Sequence, residues 1–299
     1  MFHLAKEQIV ILLSTPFYIL IIGGELLLSH LQHKKKYTVK DTATNIYFML
    51  LNAGIDLAFR AFYLGVFAYC FSLKLVNWQN PFLYWICLFI AEDFLYYWLH
   101  RLDHEIRFFW ATHVTHHSST KMNFTVGFRS SVLQPLYRFI YFLPLPLLGF
   151  QSLDILFVYS ATQIWGIFVH TEYIHKMGWL EYFLVTPSHH RVHHGSNPKY
   201  LDKNMGMFLI IWDKMFGTFQ KELSPQEYQP IQYGLTKNPE NLNPVTVIFH
   251  EWMQLFKDAC QPNITFRQRW MYIFGPPGYS HNGSRHTSRQ LREIENKGY

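Results

Sequence analysis

Four histidines fall within the six residues 189–194, in the stretch TPSHHRVHHG from Thr186 to Gly195. Neutral imidazole is the commonest protein ligand for a transition metal, and packing gives no reason for so dense a run. Three more groups share the pattern: His100 and His104 in HRLDH, His113, His116 and His117 in HVTHH, and His170 and His175 in HTEYIH. Positions three and four apart share one helix face, so each H-x-x-x-H or H-x-x-H-H unit can aim its rings at one point. His170 and His175 are five apart, which a regular helix would splay. In the last group His190, His193 and His194 keep the spacing; His189 breaks it and is assigned a structural or supporting role. His3, His30, His33, His250, His281 and His286 stand alone and read as ordinary histidines.

Eight to ten imidazoles exceed the about four to six ligands of one ion and suit two. No cysteine accompanies them, which argues against structural zinc, and imidazole accepts iron, zinc, copper or nickel. Neutral ligands leave the charge of two divalent ions uncompensated, so carboxylates are expected around them. Asp93, Glu105 and Glu172 are the candidate catalytic carboxylates, with Asp103 a weaker choice; Asp93 lies inside an apolar run, where a charge needs a reason.

The elements that carry these groups read as membrane helices. The 299-residue chain has 49% hydrophobic, 18% aromatic and 15% charged residues, against about 25% charged for a soluble protein. With a net charge of +6, that composition favours an anionic membrane surface over nucleic acid. Cys70, Cys87 and Cys260 are odd in number and far apart, so no disulfide framework follows. Apolar runs mark spans at Ile9 to Leu28, Ile46 to Leu73, Phe82 to Leu99, Leu133 to Phe150 and Leu153 to Val169. In the second, Asp56 and Arg60 can neutralise each other at i,i+4. The N-terminal run lacks a basic leader and a cleavage site and reads as a retained helix.

Lys and Arg mark the cytoplasmic side. The loop HLQHKKKYTVK is therefore inside and KLVNWQNP outside, and the third span and the hairpin 133–169 return every dense histidine group to the cytoplasmic face, whether the hairpin crosses or, interrupted by Pro135, Pro144 and Pro146, only dips in. Sequons at Asn123, Asn263 and Asn282 face the same side and carry no weight. The expected architecture is all-α and integral to the membrane, with four to five membrane helices and a cytoplasmic helical cap holding a histidine-rich dimetal site. Residues 1–99 form the N-terminal transmembrane part, 100–260 the catalytic domain with its membrane hairpin, and 261–299 a polar C-terminal tail, poorly ordered after Pro277.

With its three histidine boxes the chain resembles the membrane-bound fatty acid hydroxylase and sterol desaturase superfamily. Within it, FWATHVTHHSS, RSSVLQP, TPSHHRVHHGSNPKYLDKNMG and IIWDKMFGTF are similar to the alkylglycerol monooxygenase branch. The resemblance implies a diiron site activating dioxygen, held by His100, His104, His113, His116, His117, His190, His193 and His194, with His170 a further ligand. Glu105 is similar to an acidic position that accompanies the site, and the branch does not generally need histidine at His175. The implied reaction hydroxylates the ether-adjacent carbon of an alkylglycerol, giving fatty aldehyde and glycerol, with tetrahydrobiopterin supplying electrons. The resemblance to the branch's animal members implies additional C-terminal apolar spans, and this sequence shows no match to them. Phe108, Phe109, Trp110, Trp165, Trp179, Trp212 and Phe216 are candidates to line an acyl tunnel or to form an interfacial belt.

Two alternatives stand beside this one. A sterol or fatty acyl hydroxylase or desaturase fed by an electron-donor protein would use the same metal site. A metal transporter or sensor should place its ligands near mid-membrane, and a haem carrier needs only paired axial histidines. The composition fits the bacterial inner membrane and the endoplasmic reticulum equally.

Overall fold

The computed structural model describes residues 6–241 and 243–298; His3 lies outside them. Among the described residues there is no β-strand, and two isolated bridges join Leu184 to Leu209 and Gly195 to Tyr233. Helices α1 (Lys6–Leu31), α2 (Val39–Ser72) and α3 (Pro81–Glu105) are long and apolar enough to cross a membrane. Asn80 caps α3, its side chain accepting from the Phe82 and Leu83 amides. The chain then turns at Ile106 into α4 (Arg107–His117), where the Arg107 amide donates to the Gly275 carbonyl.

The expected fourth span, Leu133 to Phe150, is not one helix. It divides into a 3-10 turn at Gln134–Leu136, α5 (Arg138–Phe142) and α6 (Pro144–Leu147). Pro135, Pro144 and Pro146 remove backbone donors and crowd the preceding turn. The hairpin nevertheless reaches the α2–α3 loop: the Leu75 amide donates to the Leu147 carbonyl at 2.8 Å and the Trp78 indole to the Leu148 carbonyl at 2.9 Å. At its tip Gly149 has φ +86°, and a Cβ there would sit 2.1 Å from the Val76 carbonyl oxygen. α7 (Ser152–Phe168) runs back toward the histidines.

Tyr63 and Phe67 of α2, Leu88 and Leu99 of α3 and Leu145, Phe150 and Ile155 of the hairpin form the buried core of the bundle. Within it Asp56 accepts not only from Arg60, at 2.6 Å, but also from Arg138 of the hairpin. The i,i+4 pair is therefore part of a three-group cluster that ties α2 to α5.

The remaining helices gather where α3 delivers His100 and His104: α8 (Pro187–His193), α9 (Ile211–Phe216), α10 (Pro244–Ala259), α11 (Phe266–Phe274) and α12 (Ser288–Asn296). The stretch after Pro277 differs from the expected tail, because it folds back over this end. Arg285 donates to Asp258, Arg292 to the Leu201 carbonyl at 2.7 Å and Tyr228 to Glu295. Its anchors are ion pairs and backbone acceptors, which leave no apolar period in the sequence.

Candidate metal centre

The nine histidines 100, 104, 113, 116, 117, 170, 190, 193 and 194 meet in two groups. His100, His104, His113, His117 and His193 form one, and His116, His170, His190 and His194 the other, each with its ligand atoms within 4.8 Å of one another. The helices explain the sorting. His100 and His104 are one turn apart on α3, whereas α4 sends His113 and His117 to the first group and His116 to the second. The α8 turn likewise splits His193 from His190 and His194, and the His117 and His194 rings stack between the groups at 4.4 Å.

Six rings are held through Nδ1. His100 donates to the Met205 carbonyl at 2.8 Å, His116 to Arg129 at 2.9 Å, His170 to Gly166 at 2.6 Å and His193 to Lys203 at 2.9 Å. His113 meets the Ser131 hydroxyl at 2.8 Å and His104 the Asp202 carboxylate at 3.3 Å. A carbonyl can only accept, so Nδ1 carries the proton and Nε2 a bare lone pair.

Nε2 atoms of these rings converge with those of His117, His194 and His190, the last with its Nδ1 buried and unpartnered. His100 and His113 approach to 3.1 Å, and His113 and His117 to 3.3 Å. His170, His190 and His194 form a triangle of 2.9, 3.1 and 3.1 Å. Nε2 of His104 and of His193 are buried without a hydrogen-bond partner. Lone pairs this close repel unless a cation lies among them. Two ligands about 2.1 Å from one ion, at right to tetrahedral angles, stand roughly 2.9–3.4 Å apart. Burial pushes the pKa of His113, His117, His170, His190, His193 and His194 far down, and that of His116 to about 4. These rings are neutral at pH 7, the form that binds a metal.

The other candidates lie elsewhere. His175 is exposed, and only its carbonyl is used, by Arg191. His189 closes a capping box with Thr186 at the start of α8. Asp93 holds the Phe208 and Leu209 amides and the Trp212 indole, Glu105 pairs with Arg101, and Glu172 with Lys36. The carboxylates found against imidazoles are Asp202, which was not a candidate, and Asp103, the weaker candidate, 3.7 Å from His113 Nδ1 and fixed by Gln134 and Tyr137.

Several supporting residues were not anticipated. Asp213 gathers the Met205 and Gly206 amides and the Thr218 hydroxyl, which sets the loop whose carbonyls hold His100 and His193. Arg107, Arg129 and Arg191, all buried, brace the histidine-bearing segments. Arg107 binds Glu251 and Asp258; Arg129 the Thr115 carbonyl and Asn45; Arg191 Glu222 and the carbonyls of Thr171, Ile174 and His175. Glu25 of α1 accepts from Tyr37, Thr171 and the Phe124 amide, tying the first span to the residue after His170. The Asn, Gly and Asp of KNMGMFLIIWD were the visible signal for the 203–213 turn. An acid inside an apolar run was the signal at Glu25.

A cavity of about 620 Å³ opens onto His104, His117, His193 and His194, with walls from Trp110, the inner face of α10 and the 282–288 segment. A second, of about 760 Å³, is apolar and lies between α1, α2 and α7, reaching Phe128. Its end is close to the second group, since a Cβ on the adjacent Gly127 would stand 3.2 Å from His170 Nδ1. Of the aromatic residues considered for a tunnel, Trp110 lines the first cavity; Phe108 packs on Trp252, Trp212 and Phe216 on Phe94, and Trp179 is exposed.

Residues 85–218 match the model of the fatty acid hydroxylase family. The alkylglycerol monooxygenase of Homo sapiens is 36% identical over 290 residues, which cover 95% of this chain and 63% of that protein. That of Xenopus tropicalis is 33% identical over 269 residues, 89% of this chain and 58% of the relative. An ornithine lipid hydroxylase of Rhizobium tropici is 32% identical over 150 residues, half of this chain and 45% of the relative. The chain thus spans less than two thirds of the relatives it matches. No solved structure matches it.

Proposed function

Because residues 85–218 match the model of the fatty acid hydroxylase family, we propose that the chain is a membrane-bound diiron monooxygenase. Its substrate is an alkylglycerol, hydroxylated at the ether-adjacent carbon; the hemiacetal so formed collapses to fatty aldehyde and glycerol. The carrying observation is the convergence of nine buried or half-buried imidazoles in two groups, four of them with Nδ1 bound to a backbone carbonyl and so with Nε2 bare. The first group of five would hold one iron and the second group of four the other. Bound there, the irons would supply dioxygen activation and removal of a hydrogen atom from an unactivated C–H bond.

The chain's own residues do the rest. Backbone carbonyls fix the tautomers of four rings, Asp202 places negative charge beside His104, and Asp103 stands 3.7 Å from His113 Nδ1. The apolar groove between α1, α2 and α7 suits the alkyl chain, and the polar cavity suits the glycerol end and the electron donor, tetrahydrobiopterin. The imidazole end of the bundle faces the cytoplasm, on the side of the basic 34–36 loop, beneath a cap built from 170–298.

The test is to incubate the iron-loaded protein with a 1-O-alkylglycerol and dioxygen, with and without tetrahydrobiopterin, beside a His193→Ala control. Fatty aldehyde that requires iron, pterin and His193 is the expected result. Absence of aldehyde from protein shown to hold two irons would move the reading to a sterol or acyl hydroxylase fed by an electron-donor protein.

A further inference from the structure

α10 has three unlike faces. Val247 and Ile248 are buried against Phe48 and Val132, with Leu51 and Ile55 of α2 packed beside them. Glu251, Gln254 and Asp258 face the polar cavity. Val245, Phe249, Met253 and Phe256 are exposed, Met253 by 60% and Phe256 by 62%. These four recur at i, i+4, i+8 and i+11, one stripe of a helix. α11 repeats the pattern with Phe266, Trp270 and Phe274, all exposed.

Charge on the two helices is sorted as sharply. Their two acids, Glu251 and Asp258, turn inward to Arg107 and Arg285. Lys257 and Arg267 stand exposed beside the apolar stripes, while Arg269 is spent on the Ala259 carbonyl. An outward face of aromatic and cationic residues, with no outward acid, complements an anionic lipid surface.

The depth follows from α2. Its 34 residues exceed the roughly 20 needed to cross about 30 Å of hydrocarbon. Counted back from Ser72, the crossing part ends near residue 53, between Leu51 and Ile55, where α10 is seated. Exposed Ile46, Tyr47 and Leu50 of α2 continue the apolar surface of α10.

We infer that α10 and α11 lie in the headgroup layer of the leaflet on the imidazole side. Their apolar stripes enter the lipid, Lys257 and Arg267 meet anionic headgroups, and α10 is the wall between that lipid and the polar cavity. A second copy of the chain is the poorer occupant, because a two-fold contact would set these cations against themselves.

The test uses the full chain, with Cys70, Cys87 and Cys260 replaced by serine, in vesicles of neutral and anionic phospholipid. Nitroxides are placed singly at Met253→Cys, Trp270→Cys and Ser284→Cys. Labels at 253 and 270 should be severalfold more accessible to dioxygen than to a water-soluble nickel chelate, and the label at 284 the reverse. Equal nickel access at all three sites overturns the inference, as does spin–spin broadening between copies at 253. In anionic vesicles Lys257→Glu with Arg267→Glu should move the 253 label outward; an unchanged depth removes the headgroup contact. None of these readouts uses catalysis, so their failure is distinct from failure of the proposed reaction.

Discussion

At the residue scale, the centre depends on side chains that never touch the metal position. Ser131→Ala would free the His113 ring to turn, and second-layer losses of this kind cost about 10–100-fold in metal affinity. Chelator competition on the otherwise folded variant measures it. Arg191→Ala should be harsher, since it strips Glu222 and three carbonyls of one buried cation. Removing one partner of a buried pair costs about 3–5 kcal/mol; lower yield and a lower Tm in detergent are the expected outcome. Eight of the nine histidines that meet were legible from spacing, because i,i+3 and i,i+4 recurrences survive any detail of packing; His170, with its only near neighbour five positions on, was placed by the family resemblance alone. Of the candidate carboxylates only Asp103, the weaker choice, lies beside an imidazole. Asp93, Glu105 and Glu172 were chosen by nearness in sequence, but Glu105 leaves α3 on its outer face toward Arg101 and Asp93 is consumed by amides of 208–209. Asp202 reaches His104 across 98 positions, a distance no local pattern encodes.

At the scale of elements, the hairpin and the roof, meaning the stretch after Pro277 that folds back over the imidazole end, carry separate predictions. Gly149→Ala meets both a positive φ and a carbonyl at 2.1 Å, so it should cost at least about 1–3 kcal/mol, read as a fall in Tm. For Asp258, burial acts to raise the pKa, but the bonds from Arg285 and Arg107 outweigh it and hold the carboxyl below its ordinary range. Its stabilisation is therefore complete above the ordinary aspartate value of about 3.9 and is lost as pH falls through the lower folded value. Hydrogen exchange across 277–296 should stay slow down to about pH 4 and quicken below it, while Asp258→Asn should quicken it already at pH 7. The three long helices were legible as apolar runs. In the hairpin the prolines were legible as interruptions, but hydropathy does not register the donors they lack and so gives no measure of how short the resulting helices are. The roof was misread as a tail because few of its contacts are apolar.

For the whole molecule, the basic 34–36 loop and the histidine end should lie on one side of the membrane and the α2–α3 loop on the other. Impermeant thiol labelling of single cysteines at Lys35 and Asn282 against Asn77, in sealed vesicles, reads this directly; equal labelling of all three in intact vesicles would overturn the arrangement. One tie across the fold also has a consequence in time. Glu25 shares its carboxylate with Tyr37, twelve positions on, and with Thr171, 146 positions on. At about 5–20 residues per second, a ribosome takes roughly 7–30 s to make that second partner. Throughout that interval the nascent first helix has the Tyr37 hydroxyl as its nearby donor. Tyr37→Phe should therefore reduce the fraction of chains that reach the membrane correctly by more than it weakens those that do.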